Sequence, residues 1–581
     1  MASKSDKDAV RYMARKKSLQ AIRAEIESTM DEITELVVPH RSYMDSEMSY
    51  GYLPNQDIYD QTGTQSLKFL TSLVDSGTAS SGINWFSVDS KVYLPKKPES
   101  LTLYLKYVTD VISDVFADPS SGFYSGNPVV ISDMGAYGTA CMSIDYYPGE
   151  GFRFTPIHIS DLYISEGAFG HIDTVIRRLK VTAHQCAQRF EEDKLPDQVI
   201  EALESDPDKI FEVWHYAMPN PDYTNLKKAG YKNQKFKSCY VMEQSDKDTN
   251  KLGTVLEESG MSFLPYNVPR WFKRPNMPWG FGPAMLALPN LRSIQNMEME
   301  FQALLQLTVR PILLAADDGV ILPSVLEPGT IVQGGIDSLN NARRIEPLQM
   351  GLMPQFLDGY LKTKKDEIKK LFYNASIMFH DGPEMTREEV MTRKEEQMLA
   401  LGPDLKLYME EHLIPAILKV YDLLVENKLI EPPPKEIAEV INRGLRIEFN
   451  SPLLRYQRIG EIQAAERILQ AAVQLAQFDP SVMNVVNPRG LLEVYRDVLQ
   501  APSAVFNTEE QQKAIEQSQL QERQQQMKME LADKVDKNAY MMKQAGGDPN
   551  TSALAATSGM NQSQQQQQQQ MMLQSQQQGG M

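Results

Sequence analysis

Cysteine is nearly absent from this 581-residue chain. Cys141, Cys186 and Cys239 stand alone, with no CxxC pair and an odd total, so neither a disulfide framework nor a zinc site is expected and a reducing compartment is the default. Long apolar runs are missing too: nothing approaches the ~18 residues of a membrane span. The N-terminal residues Met1 to Asp8 lead into a charged helical pattern instead of a signal-peptide core, so no signal-peptide export and no membrane partner are expected. Positive charge is in deficit. With 59 Lys and Arg against 76 Asp and Glu, a net charge of -17 and a pI of about 5.1, the chain cannot wrap nucleic acid over its whole surface. An acidic wall can still let a duplex slide past without sticking.

Catalytic motifs are lacking as well. No nucleophile elbow with Ser, His and Asp, no HExxH, no Walker A and no supported Cys-His pair occurs, and the expectation is a non-enzyme without cofactor or metal. Asp75 to Gly82 has a phosphate-loop flavour but lacks the Lys-Ser/Thr and the preceding strand, and reads as a turn before a strand over Ile83 to Val88. Gly149-Glu-Gly151 lacks a third glycine and sits between strands, as a hairpin turn does. His158, His171, His184 and His215 have no spacing that pairs two ligands on one element. Asp317 and Asp318 could be paired carboxylates of a metal-dependent nuclease or phosphoesterase; the reading preferred here is a turn at Asp318-Gly319 joining two strands.

What the chain does have is helical periodicity and size: 42% apolar residues over this length support a large core in several structural regions. The fold class expected is α+β, predominantly α. Residues 8 to 37 recur apolar at Val10, Met13, Ile22, Ile26, Met30, Ile33 and Val37, an amphipathic helix. From Thr139 to Leu264 the period falls toward two between Gly and Pro turns, as in a mostly antiparallel sheet. Two long helices follow, Gly282 to Val309 and Pro354 to Met378. The second has Leu352, Phe356, Tyr360, Ile368, Leu371, Ala375 and Met378 in one arc, with Asp358, Lys362, Lys365, Asp366, Lys369 and Lys370 opposite. Between them Pro311 to Pro347 reads as a small β module with turns at Asp318-Gly319 and Pro328-Gly329. After the second helix comes a tight loop, Phe379, His380, Asp381, Gly382, Pro383, Glu384 and Met385, and Thr386 to Glu389 restarts a helix with a capping box. Further on, Leu405 to Leu424 is helical with a kink at Pro415, Leu445 to Phe449 alternates as a strand, and helices are expected from Ser451 to Leu475 and from Leu491 to Leu499. Beyond Asn507 the chain is Gln-rich and low in complexity, compatible with an initial helix to about Lys543 before a disordered end.

Trp279-Gly-Phe-Gly-Pro283-Ala-Met-Leu-Ala-Leu-Pro289-Asn-Leu-Arg-Ser-Ile294, preceded by Pro269-Arg-Trp-Phe-Lys273, resembles the signature of the head-to-tail connecting (portal) proteins of short-tailed, podovirus-type bacteriophages. Phe154-Thr-Pro-Ile-His158, Leu162-Tyr-Ile-Ser-Glu166, Met385 to Val390 running to Leu401-Gly-Pro403, and Ser451 to Arg458 agree in the same order. The resemblance covers residues 10 to 505 and excludes the Gln-rich tail.

It implies a ring of about a dozen copies at one capsid vertex of the virion, assembled in the host bacterial cytoplasm. Double-stranded DNA would enter under a terminase large subunit and leave through tail adaptor proteins, with scaffolding and major capsid protein as further partners. In that scheme residues 1–281 form an α+β wing, 282–310 the first stem helix, and 311–347 a clip facing terminase and adaptors through Asp317, Asp318, Gly319, Pro328 and Gly329. Residues 348–378 form the second stem helix and 379–386 the tunnel loop. Residues 387–457 return to the wing, 458–506 form a crown, and 507–581 a largely disordered tail. Lys362, Lys365, Lys369 and Lys370 are then candidates for lining the DNA channel; the alternative is that they form salt bridges with Asp358, Asp366 and Glu367. Another head-tail component, an adaptor or internal core protein, is the rival reading.

Overall fold

A computed structural model of the chain describes residues 4–41, 58–94, 97–221, 223, 234–243, 253–309, 313–315, 345–347, 354–374, 400–450, 464–475, 490 and 509–544. The chain divides into two compact units, Met1–Pro480 and Ser481–Met581.

The first unit opens with helix α1, Lys4–Val37. Met13, Met30, Ile33 and Val37 of the predicted stripe are buried, but Val10 and Ile22 are exposed, and Ala9, Tyr12, Leu19, Lys16 and Arg23 are buried in addition. Two cations account for part of this difference. Lys16 lies 3.8 Å above the Trp214 ring and pairs with Glu243. Arg23 lies 4.1 Å above the Tyr163 ring and donates to the carbonyls of Ser160 at 2.7 Å and Leu162 at 3.1 Å. Cation–π attraction and hydrogen-bonded heads let long basic stems behave as core.

Helix α2 (Thr62–Thr78) includes Asp75 to Thr78, which the sequence reading placed in a turn; the Asp75 carboxylate accepts from the Asn127 amide at 2.8 Å. Strand β1 (Phe86–Ser90) follows, then α3 (Glu99–Ala117) and α4 (Phe123–Tyr137). The expected antiparallel region begins with β2 (Cys141–Tyr147) and β3 (Gly151–Ile157) and continues through β4 (Leu162–Glu166) and β5 (Ile172–Thr182). Helices α5 (Ala183–Arg189) and α6 (Asp197–Ser205) intervene before β6 (Ile210–Pro219), β7 (Phe236–Met242), β8 (Thr254–Met261) and β9 (Tyr266–Asn267). The strands form a three-stranded sheet β3-β2-β9 and a five-stranded sheet β4-β5-β6-β7-β8, antiparallel throughout. Both faces of the larger sheet are covered. Trp214 and Tyr216 pack with Tyr12 and Leu19 of α1, while Val213 joins Cys186 and Val199 of α5 and α6, as the alternation of side chains along a strand requires.

Helix α7 (Pro283–Val309) runs out to β10 (Leu313–Ala315), which pairs antiparallel with β11 (Ile345–Pro347) before α8 (Pro354–Leu371) returns. The paired strands close the base of the insertion. Asp317, Asp318, Gly319, Pro328 and Gly329 lie outside the described residues, as do Phe379 to Met385, the capping box at Thr386 to Glu389, and most of 451–507. Helix α8 ends seven residues short of the predicted Met378. Tyr373 has φ 58°, and the amide of Asn374 bonds the Lys369 carbonyl at 2.8 Å while that of Tyr373 bonds Lys370 at 3.1 Å, the bonding of a left-handed helix stop. An aromatic residue in that conformation is costly; the Tyr373 hydroxyl donates to the Asp404 carboxylate and helps hold it.

Helix α9 (Leu405–Tyr408) passes through a π turn, Met409–Leu413, into α10 (Ile414–Glu426). Pro415 lacks an N–H and its ring crowds the carbonyl four residues back, so a wider turn takes the place of the expected kink. Helix α11 (Lys435–Asn442) leads to β12 (Leu445–Phe449), which pairs with β1 across more than 350 residues of chain, Phe86 opposite Phe449 and Ser90 opposite Leu445. One core cluster runs from Met30 through Trp85, Ile144, Leu291 and Ile368 to Ile441. In the second unit, helix α12 spans Glu509–Gln544.

Candidate functional site

The residues singled out by sequence converge on the α7–α8 pair and the joint at its base. At ~100° per residue, Leu361, Lys365, Ile368 and Phe372 share one side of α8, and the three apolar members are buried. The predicted arc is therefore corrected: Tyr360 is exposed and Lys365 stands on the packing side. Its ammonium reaches Glu298 at 2.7 Å and Asp60 at 2.9 Å. Burial alone would depress the Lys365 pKa, but the hydrogen bonds that the ammonium donates to Glu298 and Asp60 outweigh it and hold it above its ordinary range. Asp60 is itself fixed. Its Oδ1 accepts from the Thr62 amide at 2.9 Å, its own amide donates to Gln295 Oε1 at 3.1 Å, and Gln295 Nε2 returns a bond to its carbonyl at 2.6 Å. One buried polar knot thus ties the start of α2 to both long helices.

The other three lysines differ. Lys362 and Lys370 are exposed, while half-buried Lys369 lies 3.4 Å from Asp366 on its own helix. Lys364, which sequence reasoning passed over, bridges to Glu367 at 2.8 Å. Among the described residues the knot also lacked any sequence signal: Asp60 and Lys365 are separated by 305 positions and share no motif.

The joint is built from the family-like signature. Gly138 ends α4 at φ 71°, and its carbonyl accepts from the Trp271 amide at 2.9 Å. A Cβ there would meet the Phe281 and Gly282 nitrogens at 2.6 Å, and one at Gly280 would meet the Gly138 oxygen at 2.1 Å; only glycine permits the backbones to touch. Phe272 and Phe281 exchange backbone bonds at 3.1 and 2.9 Å, and the Gly280 amide donates to Thr139 Oγ1 at 2.8 Å. Pro283, the first residue of α7, springs directly from this contact.

Arg270, fully buried, sits beside it. Its Nε donates to Glu411 Oε2 at 3.0 Å and its Nη2 to the Gly170 carbonyl at 3.1 Å; further bonds reach Glu411 Oε1 and Glu166. The guanidinium joins the β4–β5 turn, the signature loop and the π turn. A buried ion group of this kind is tolerable because its donors are satisfied. Next to Glu411, His412 is buried and neither ring nitrogen has a hydrogen-bond partner; burial, then the Lys419 charge, pushes its pKa down to about 3. Lys419 is itself lowered to about 7 by burial and donates to the Tyr266 carbonyl at 3.0 Å.

Three of the four histidines weighed as metal ligands are hydrogen-bonded within the fold. His215 lies between Tyr266 and Ser238, His158 bonds Ser160 at 2.8 Å and His184 bonds Gln188 at 3.0 Å. Among the described residues no group of three or more His, Cys, Asp or Glu could hold a metal, and no helix is long and apolar enough to cross a membrane.

The family described as bacteriophage head to tail connecting protein matches residues 9–506. The chain is 24% identical over 559 residues, 93% of its own length and 96% of the relative's, to the portal protein of Salmonella phage epsilon15. It is also 24% identical over 486 residues, 82% and 85% of the two lengths, to a probable portal protein of Bordetella phage BPP-1. Among solved structures, a chain from the virion of a native gene transfer agent particle is similar at TM-score 0.33 and 12% identity, covering 76% of this chain and 95% of that one. A chain from the neck of an empty particle of the same kind gives 0.32 and 12%, covering 75% and 95%. With the glycine contact, Arg270 and the start of α7 all inside the matched span, this chain belongs to the bacteriophage head-to-tail connecting protein family.

Proposed function

We propose that the chain is the portal subunit of a short-tailed bacteriophage, a non-enzymatic conduit and docking platform at one capsid vertex. About a dozen copies stand side by side around a bore wide enough for duplex DNA. Terminase supplies the ATP hydrolysis, and tail adaptors replace it afterwards. The observation that carries this reading is the near full-length match to a family of head-to-tail connectors, whose signature residues here form the joint from which α7 springs.

Two features of the helix pair support it. A single copy leaves Leu286, Met299, Leu305 and Val309 of α7 and Tyr360 of α8 in water, Val309 at 78% exposure; neighbours packed shoulder to shoulder would cover them. Lys362 and Lys370 are the two of the four candidate lysines left exposed on α8, and a modest positive ring from them would offset the acidic wall as phosphates pass. Lys365 is committed to Asp60 and Glu298, so we assign it to holding the helix pair. The unit boundaries given above for wing, stem, clip, tunnel loop and crown belong to this same reading, with residues 379–385 as the loop that contacts DNA.

Electron microscopy and native mass measurement of the purified full-length protein test the proposal. A closed ring with a central opening is expected. A self-contained monomer at all concentrations, its helix pair sealed inward, overturns it.

A further inference from the structure

We propose that the outer edge of β12 docks a second copy of this chain, the two β12 strands running antiparallel about a twofold axis at Ile447. A ring is built from head-to-tail contacts, so a twofold contact lies outside that set. The inference therefore goes beyond the portal reading, to an interaction of subunits that are not in a ring.

The pairing of β12 with β1 fixes which way its backbone faces. Asn450 donates its amide to the Trp85 carbonyl at 2.7 Å and Lys91 donates to the Gly444 carbonyl at 3.1 Å. Bonded and non-bonded pairs alternate along an antiparallel ladder, so between these two bonds Glu448 bonds Ser87 and Arg446 bonds Asp89. The backbone groups of Leu445, Ile447 and Phe449 therefore face away from β1. None of these three amides has a hydrogen-bond partner among the described residues. On the far edge of the ribbon the equivalent groups are taken: the Val88 amide donates to Thr109 Oγ1 at 3.0 Å and the Ser90 amide to Asp89 Oδ1 at 2.7 Å. Edges elsewhere are occupied or broken. Arg23 bonds the Leu162 carbonyl of β4, Lys419 bonds the Tyr266 carbonyl of β9, and a bulge at Tyr240 and Val241 breaks the register of β8 against β7.

The side chains of the strand name the occupant. Leu445, Ile447 and Phe449 are half-buried against the core, while Arg446 and Glu448 stand in water on the other face, 67% and 46% exposed. The order apolar, positive, apolar, negative, apolar is its own complement when reversed. Centred on Ile447, the antiparallel pairing sets Arg446 of each copy opposite Glu448 of the other and Leu445 opposite Phe449. The outward groups of Leu445, Ile447 and Phe449 then bond across the axis, and both charge pairs fall at the non-bonded positions, where facing side chains are closest. Parallel pairing in register sets like charge against like.

The test uses the full-length chain below its ring-forming concentration, read by native mass spectrometry and sedimentation velocity. Wild type is expected to show a dimer. Arg446→Glu sets two Glu–Glu pairs across the axis and Glu448→Arg two Arg–Arg pairs, and each is expected to raise the dimer dissociation constant on the order of tenfold or more. Their thermal midpoints are expected to match wild type, because both side chains stand in water. An equimolar mixture of the two variants restores opposite charges at both positions and is expected to dimerise again. Wild type that is monomeric below the ring-forming concentration, single variants that dimerise as well as wild type, or a mixture that stays monomeric overturns the β12 contact and leaves the portal reading standing. A dimer rescued in the mixture, with no ring at any concentration, supports the contact and overturns the portal reading alone.

Discussion

Arg270 is where one residue has the largest predicted effect on this fold. Its guanidinium is the shared partner of Glu166, Glu411 and the Gly170 carbonyl. Arg270→Met would strip Glu411 of its cation and leave Glu166 with Lys273 alone, and breaking a buried ion group in this way costs ~3–5 kcal/mol. Urea unfolding of the variant should show a loss of that order; a loss below ~1 kcal/mol would mean that the hub is decorative. His412 acts through pH. Its folded pKa of about 3 lies below the unfolded value of ~6.5, so the unfolded chain takes up the proton first. Stability from keeping the imidazole neutral is full above pH 6.5 and is lost as pH falls toward 3, amounting to ~2 kcal/mol by pH 5. Buried His215, also lowered to about 3 by burial, acts in the same direction. Asp133, raised to about 6 by burial against the pull of Arg41, acts in the opposite one, favouring the folded state as pH drops from 6 toward 4. His412→Phe should flatten the fall in unfolding midpoint between pH 6.5 and 5 by about one histidine's share, and a slope identical to wild type would refute the assignment.

For an isolated element, the instructive case is α8. Hydropathy put Lys365 with the other lysines on a charged face, because periodicity weighs an ammonium as polar whatever lies opposite it. Two carboxylates from distant parts of the chain, Asp60 and Glu298, turn that position inward. Lys365→Met should therefore destabilise the protein by ~2–3 kcal/mol through the carboxylates it strands. Lys362→Ala or Lys370→Ala should stay within ~0.5 kcal/mol. Thermal unfolding separates the two outcomes, and equal effects at all three positions would undo the distinction. The same logic explains α1, where Lys16 and Arg23 replaced Val10 and Ile22 in the buried stripe once Trp214 and Tyr163 were available to receive them.

Assembly is where the consequences for DNA belong. If exposed lysines of α8 line a bore, Lys362→Ala and Lys370→Ala together should lower packaged genome length or retention in virions without altering ring formation. Packaging and leakage indistinguishable from wild type would remove them from the channel. Lys365→Ala, by contrast, should act through the yield of assembled rings. Measuring yield and packaged length on the same preparations keeps the two roles apart.

Much of this molecule was legible in one dimension. The switch from period 3.6 to period two near Thr139, the helix from Pro283 to Val309, the strand at Leu445 to Phe449 and the signature around Trp279 are local patterns, and local sterics and hydrophobic spacing suffice to write them. Helix α8 ran shorter than its periodicity because Tyr373 takes a left-handed conformation, held in part by a bond to Asp404 from 31 positions away. The pairing of Phe86 with Phe449, the backbone contact of Gly138 with Gly280, and the closure of Arg270 on Glu166 and Glu411 were decided only in three dimensions. Each joins groups remote in sequence, and the free energy of burying and satisfying such groups depends on which partner arrives, a quantity that no window of neighbouring residues contains.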